Sequence, residues 1–229
     1  MMTPEQRERM RTRIREKLST AVLPGARPEH PGVLPLNTTA ASADDLLDGF
    51  VREFTALTGI VHHATDAASA AAAIRSITPT PGPQSILAWS ESALRVPGLY
   101  DALAAQGIGI LPAHVPFSGP ERTARLGELA AAQVGVTGAL ACLAESGSLV
   151  VEHGDGRGRL ASLLVPVHIA IVRRSAVVRS LADVFRHRPD LTASTSNVVV
   201  ITGPSRTADI EMTLTRGVHG PREIHVILM

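Results

Sequence analysis

Ser85-Ile-Leu-Ala-Trp89 and Gly107-Ile-Gly-Ile-Leu111 are short apolar runs separated by residues 91–106, a stretch of helical periodicity interrupted at Pro97-Gly98. Short apolar runs bounded by Gly and Pro read as buried strands, and the longer segment between them reads as a broken helix. A second helix is predicted at 120–133, with Pro120 at its first position and Leu126 and Leu129 facing inward. Strand, helix, strand, helix predicts an α/β domain with a mixed, largely parallel sheet flanked by helices.

Strands dominate downstream. Val134-Gly-Val-Thr137, Ser148-Leu-Val-Val151, Val167–Val172, Asn197–Ile201 and Glu223–Met229 are predicted strands, and 180–187 is a helix carrying Leu181, Val184 and Phe185. Segment 205–215 is ambiguous. Ser205 or Thr207 suits a helix N-cap, while Ala208, Ile210, Met212 and Leu214 alternate with the period of a strand. A short helix start is the expectation there.

Upstream, residues 43–58 form a helix with Leu46, Leu47, Phe50, Val51, Phe54 and Leu57 on one face, acidic Asp44 and Asp45 in the first turn, and Gly59 at its end. Residues 65–77 form an Ala-rich helix opened by Thr65-Asp66. Residues 4–18 read as a basic helix with Met10, Ile14 and Leu18 in a thin apolar stripe. The Pro/Gly-rich stretch 21–42 reads as a strap. The expected organisation is therefore an arm and strap, 1–42, and an α/β domain, 43–229.

Composition narrows the function. The 22 basic and 21 acidic residues leave a formal net charge of +1, too small a field to draw the chain to nucleic acid or an anionic membrane. Aromatic content of 3% argues against base-stacking recognition. Cys142 is the only cysteine, so this chain forms no internal disulfide and cannot by itself supply the ligands of an iron–sulfur cluster. With no apolar run of membrane-spanning length and no signal-peptide core, the expected location is the cytoplasm. No metal site is expected, because the histidines lack convergent spacing. No cofactor is implied, because no dinucleotide fingerprint is present.

Four constellations could carry chemistry. Glu145-Ser146-Gly147-Ser148 places a carboxylate and two hydroxyls at a Gly turn entering a strand, either as a ligand site near a sheet edge or as an ordinary solvated turn. Gly154-Asp-Gly-Arg-Gly-Arg159 lacks the spacing of a phosphate loop and reads better as a tight turn, whose Arg157 or Arg159 could fork onto an anion. His168, in an apolar strand, reads as a buried, hydrogen-bonded residue or, less simply, as a ligand-facing one. Gly203-Pro-Ser205-Arg206-Thr207 at a helix start would offer free N–H groups, hydroxyls and a guanidinium to an anion. Asp209 would pair with Arg206 or orient a substrate, and His219 would lie in a loop between Gly217 and Gly220. The alternative is a self-satisfied network pinning the last strand.

Val134-Gly-Val-Thr137, Glu145-Ser-Gly-Ser148, Pro166-Val-His-Ile-Ala170, Gly203–Glu211 and Gly217-Val-His-Gly-Pro221, in this order and spacing over about residues 40–229, resemble the lactate-utilization protein C family, whose defining unit is the LUD domain. The resemblance implies a fold like that of sugar-phosphate isomerases, CoA transferases and methenyltetrahydrofolate synthetase. It also implies a part in oxidising L-lactate to pyruvate beside two iron–sulfur partner proteins, which would hold the metal chemistry. On that expectation Ser205, Arg206 and Thr207, with Asp209, Gly220 and the Ser146-Gly147-Ser148 turn, bind a small carboxylate or other anion, and Glu145 and His219 are the candidate acid/base groups. Two alternatives stay open: a free-standing enzyme on a CoA thioester or phosphorylated metabolite with Glu145 as nucleophile, and a non-catalytic binding module.

Overall fold

The alternation read from residues 85–133 is realised in a computed structural model that describes residues 3–19, 41–78, 85–116, 118–195, 197–208, 214–217 and 219–229. The chain divides into two units, residues 1–39 and 40–229. In the first, helix α1 (Pro4–Ser19) exposes Met10 and Ile14 and is laced by Glu8 with Arg11 and Arg15. Most of the strap expected at 21–42 lies outside the described residues. Its last residue, Ser42, belongs to the second unit, where its hydroxyl accepts from Asp45 N and caps α2 (Ala43–Ala56).

The second unit is built on six parallel strands: β1 (Ile60–His63), β2 (Ser85–Ala88), β3 (Gly109–Pro112), β4 (Val134–Gly138), β7 (Val167–Val172) and β12 (Glu223–Leu228). Their order across the sheet is β1-β12-β7-β4-β2-β3. The central strands β4 and β7 are buried along their whole length, as expected of a parallel sheet covered on both faces. Helices α3 (Ala67–Ile77), α4 (Glu91–Leu94), α5 (Leu99–Ala104), α6 (Pro120–Ala130) and α7 (Leu160–Leu163) connect or cover these strands. The break at Pro97-Gly98 separates α4 from α5, as expected. Asp66 caps α3 by accepting from Ser69 N at 2.7 Å.

A second sheet has four short strands in the order β8-β5-β6-β9: β8 (Val177–Val178), β5 (Ala141–Leu143), β6 (Ser148–His153) and β9 (Asn197–Ile201). Alternation gives it two apolar faces. Cys142, Leu149 and Val151 join the main core with Phe50 and Phe54 of α2, while Ala141, Leu143 and Val150 pack under Val184 of α8 (Leu181–His187) and Leu191 of α9 (Leu191–Ser194).

The helix expected to start at Ser205 or Thr207 is not formed. Arg206–Ala208 is strand β10, paired antiparallel with β11 (Leu214–Arg216), Arg206 opposite Arg216 and Thr207 opposite Thr215. The period-two pattern outweighs the capping signal. Gly217, at φ 83°, closes the ribbon by donating its N–H to Ser205 O.

Candidate functional site

The strands run in parallel, so their carboxyl ends share one edge. Chain order reverses between β2 and β4: the chain leaves β2 toward β3, and leaves β4 toward β7. Open α/β sheets place ligands outside the carboxyl ends at such a reversal. A cleft of about 670 Å³ opens there, beyond the ends of β2 and β3. Its walls include Glu91, His114, His153, Arg157, Arg159 and Asn197.

The glycine-rich turn 154–159 forms one wall by backbone contact. Gly154 and Arg157 exchange N–H···O=C bonds, which makes the turn tight, as expected. Ser90 N donates to Gly156 O at 2.8 Å, and Trp89 Nε1 donates to Gly158 O at 3.0 Å, so the turn is tied to the end of β2. A Cβ on Gly158 would lie 2.1 Å from Ala113 O, after β3. Only hydrogen permits that approach. The opposite wall, residues 112–116, is held by α6: Arg125 donates to the carbonyls of Pro112 and His114, and Arg122 to that of Pro116. Tyr100 donates its hydroxyl to Trp89 O, and burial, with Glu91 nearby, pushes that phenol up to about 12.

Beside the cleft, in a smaller pocket that shares Arg157 with it, charge is arranged around Glu152. Its carboxylate is buried and meets Arg157 at 2.7 Å and Arg188 at 3.6 Å. Glu152→Gln is expected to cost about 1–3 kcal/mol, less than a fully buried pair because both arginines reach solvent. Urea unfolding at neutral pH checks this, and an unchanged midpoint would mean that the pairing contributes nothing.

Histidines continue inward. His153, at the cleft, has its pKa lowered by burial and then by Arg159. Its Nε2 is 3.5 Å from Ser162 Oγ. His168 is fully buried, with Nε2 2.8 Å from Thr137 Oγ1. Burial, then His153 and His225, push its pKa down to about 3. His225 is buried against His62, Nδ1 to Nε2 at 3.1 Å, and burial lowers both. Among the described residues no group of three His, Cys, Asp or Glu could hold a metal ion. Cys142 is buried in β5, where burial pushes its thiol up, away from the reactive thiolate.

The residues predicted from sequence lie elsewhere. Glu145 and Ser146 are exposed at the β5–β6 turn, where Glu145 N donates to Arg179 O. Gly147, at φ 60°, is pressed on α2, since a Cβ there would lie 2.4 Å from Phe54 N. Ser148 Oγ is 2.8 Å from both Ser146 Oγ and Thr202 Oγ1, which brings this turn beside Gly203. Ser205 N donates to Pro221 O, and a Cβ on Gly220 would lie 3.5 Å from Ser205 Cβ. Arg222 N and Glu223 N both donate to Pro166 O. Ser205, Gly220, Pro221 and Pro166 therefore meet before the starts of β7 and β12, at the edge opposite the cleft. His219 is exposed, Arg206 and Thr207 lie in β10, and Asp209 is outside the described residues. Of the four constellations that stand out in the sequence, the turn Gly154–Arg159 is the one that lines the cleft among the described residues. His114, His153, Glu91 and Asn197 give no local signal.

A parallel sheet flanked by helices, with a polar cleft at its carboxyl edge, places the chain among the open-sheet α/β proteins. Residues 47–229 match the LUD domain, and the chain belongs to that family. It is similar to lactate utilization protein C of Shouchella clausii, 33% identical over 143 residues, which are 61% of this chain and 60% of that protein. It is also similar to lactate utilization protein C of Halalkalibacterium halodurans, 45% identical over 94 residues, 39% of this chain and 41% of that one. The matches thus span less than two thirds of these relatives' lengths. A crystal structure of a DUF162 family protein from Deinococcus radiodurans superimposes with a TM-score of 0.60, covering 82% of this chain and 99% of that one at 22% identity, and shares the fold. No helix among the described residues is long and apolar enough to cross a membrane.

Proposed function

We propose that the chain serves lactate utilization as a ligand-binding subunit of a cytoplasmic system that oxidises L-lactate to pyruvate. Its relatives called lactate utilization protein C support the broader part of this reading. The oxidation releases two electrons and two protons. With one buried cysteine and no residue set for a cluster, the chain is assigned the binding of the small carboxylate, and two iron–sulfur partner proteins carry the electrons away.

The observation that carries the binding role is the cleft beyond β2 and β3, where Arg159, with no carboxylate partner among the described residues, stands beside Arg157, His114 and Asn197. A guanidinium at a cleft wall is suited to a forked bond with a carboxylate. Calorimetry on the purified chain is expected to detect pyruvate or L-lactate, and Arg159→Ala should weaken the binding about tenfold. A tagged chain should also capture two cysteine-rich proteins from cells grown on lactate. Absence of binding to either acid, together with normal growth on lactate after deletion of the gene, would overturn the reading.

A further inference from the structure

Beside the main cleft, a pocket of about 190 Å³ opens between the carboxyl ends of β4 and β7, with Arg95, Glu152, Arg157, Arg173 and Ser175 in its wall. We propose that this pocket is a dianion site that receives a phosphate group. The proposal deepens the reading above and rests on it only in placing ligands at the carboxyl edge.

The charge balance points there. Glu152 is engaged by Arg157 and Arg188, so it leaves nothing for the other two cations. Arg95 and Arg173 have no carboxylate partner among the described residues. Two other acids lie close by: Glu91, one turn before Arg95, whose Oε1 accepts from Tyr100 N at 3.1 Å, and Asp66, which shares with the two arginines an adjoining cleft of about 600 Å³. The Asp66 carboxylate is occupied as the α3 cap, accepting from Ser69 N and Ser69 Oγ at 2.7 Å. Two guanidiniums therefore face one small pocket without neutralisation. Arg173 is tied to this wall by its Nη2, which donates to the Arg95 carbonyl at 3.2 Å.

Backbone conformation adds a second observation. Arg95 ends α4 in the left-handed region, at φ 57° and ψ 33°. Glycine is the residue that takes this position without steric penalty, and a side chain held there is strained. An anion of charge two in this pocket would pair with both guanidiniums, with the Ser175 hydroxyl as a further donor, and so give a reason for a side chain to be kept at the Arg95 position. A monocarboxylate would neutralise only one of them. Arg157 lines both this pocket and the larger cleft, so one ligand could occupy both, with its phosphate here and its body beyond β2 and β3.

The test uses calorimetry on the full chain at low salt, with inorganic phosphate and AMP as probes. Phosphate should bind, and Arg173→Ala and Arg95→Gly should each weaken it about tenfold or more. Arg174→Ala should leave it unchanged, because that side chain instead meets His63 at 3.2 Å. Arg95→Gly separates ligand binding from folding: relief of the left-handed strain should hold or raise the melting temperature while phosphate affinity falls. Tighter binding of AMP, weakened by Arg159→Ala when phosphate binding is not, would support the site with the phosphate arriving on an extended ligand. Equal affinities would support the site with free phosphate as the occupant. No phosphate heat at millimolar concentration, or unchanged affinity in Arg173→Ala, would overturn the inference. Absence of phosphate binding in a chain that still binds pyruvate, with the pyruvate binding lost in Arg159→Ala, would show the broader reading intact while this one fails.

Discussion

Lowering the pH from 7 to 4.5 is expected to destabilise the fold steeply, with His168 as the largest single cause. Its pKa in the fold is about 3, against an ordinary 6.5. The unfolded chain therefore binds a proton that the folded chain refuses. Stability is complete above pH 6.5 and is lost as pH falls toward 3, on the order of 4 kcal/mol for this residue across the window. His62, His153 and His225 are shifted in the same direction, chiefly by burial, and add to the slope near pH 6. The carboxylates with lowered pKa, Asp45, Asp66, Asp183 and Asp190, act only below their ordinary 3.8, so the interval from 6.5 to 4.5 belongs to histidine. Urea unfolding across that interval should show the loss. His168→Gln keeps a hydrogen-bonding partner for Thr137 and should reduce the slope by about 1.4 kcal/mol per pH unit below pH 6. A flat profile, or an unaltered slope in the variant, would rule out this account.

Gly135→Ala is the substitution expected to damage the fold most. Gly135 is the second residue of β4, where α7 crosses the sheet backbone to backbone. A Cβ at this position would fall 1.9 Å from Ala161 O and 2.8 Å from Val165 Cγ2. The colliding atom is a main-chain oxygen, so no rotamer relieves it. α7 would have to lift from β4 and take the end of turn 154–159 with it. A loss of about 3 kcal/mol or more, or no soluble protein, is expected. Gly127→Ala provides the contrast. This glycine lies in α6 with nothing within 4 Å of the place a methyl group would take, and alanine there should stabilise by about 0.5–1 kcal/mol. Equal midpoints for the two variants would contradict the packing described.

Much of the fold is legible in the sequence because its signals are local. The apolar runs of β2, β4, β7 and β12, the proline and glycine separating α4 from α5, and the Asp66 cap all stand in the sequence beside the structure they produce. β1 escapes notice because two of its four residues, His62 and His63, are histidines. β5 and β8 are three and two residues long, too short for any periodicity to appear. At 205–215 two local signals compete, and the alternation prevails over the hydroxyl caps. The cleft is illegible for a different reason. Its walls come from residues 88–91, 112–115, 153–159 and 197, and these meet only through the sheet order β3-β2-β4 and the pairing of His153 with Asn197 across β6 and β9. The turn at 154–159 is recognisable as a turn, but nothing in its own residues says which strand ends it docks on. The Glu145–Ser148, Ser205 and Gly220 blocks attract attention as polar residues among glycines. The Ser146, Ser148 and Thr202 hydroxyls bond one another, and the Ser205 main chain bonds Pro221 and Gly217 before β7 and β12.

The turn from Gly154 to Arg159 meets the parallel sheet through main-chain atoms and glycine hydrogens, not through the side chains of Asp155 and Arg159. Attachment and recognition are thus written in different letters of one hexapeptide. The glycines fasten the segment and Arg157 is held by Glu152, while Asp155 and Arg159 are at liberty to change. A repertoire of ligands could be explored by substituting those two side chains on an anchored frame, with little consequence for folding. Related proteins with the same glycines and different intervening residues would then be expected to differ in what they bind and not in how they fold.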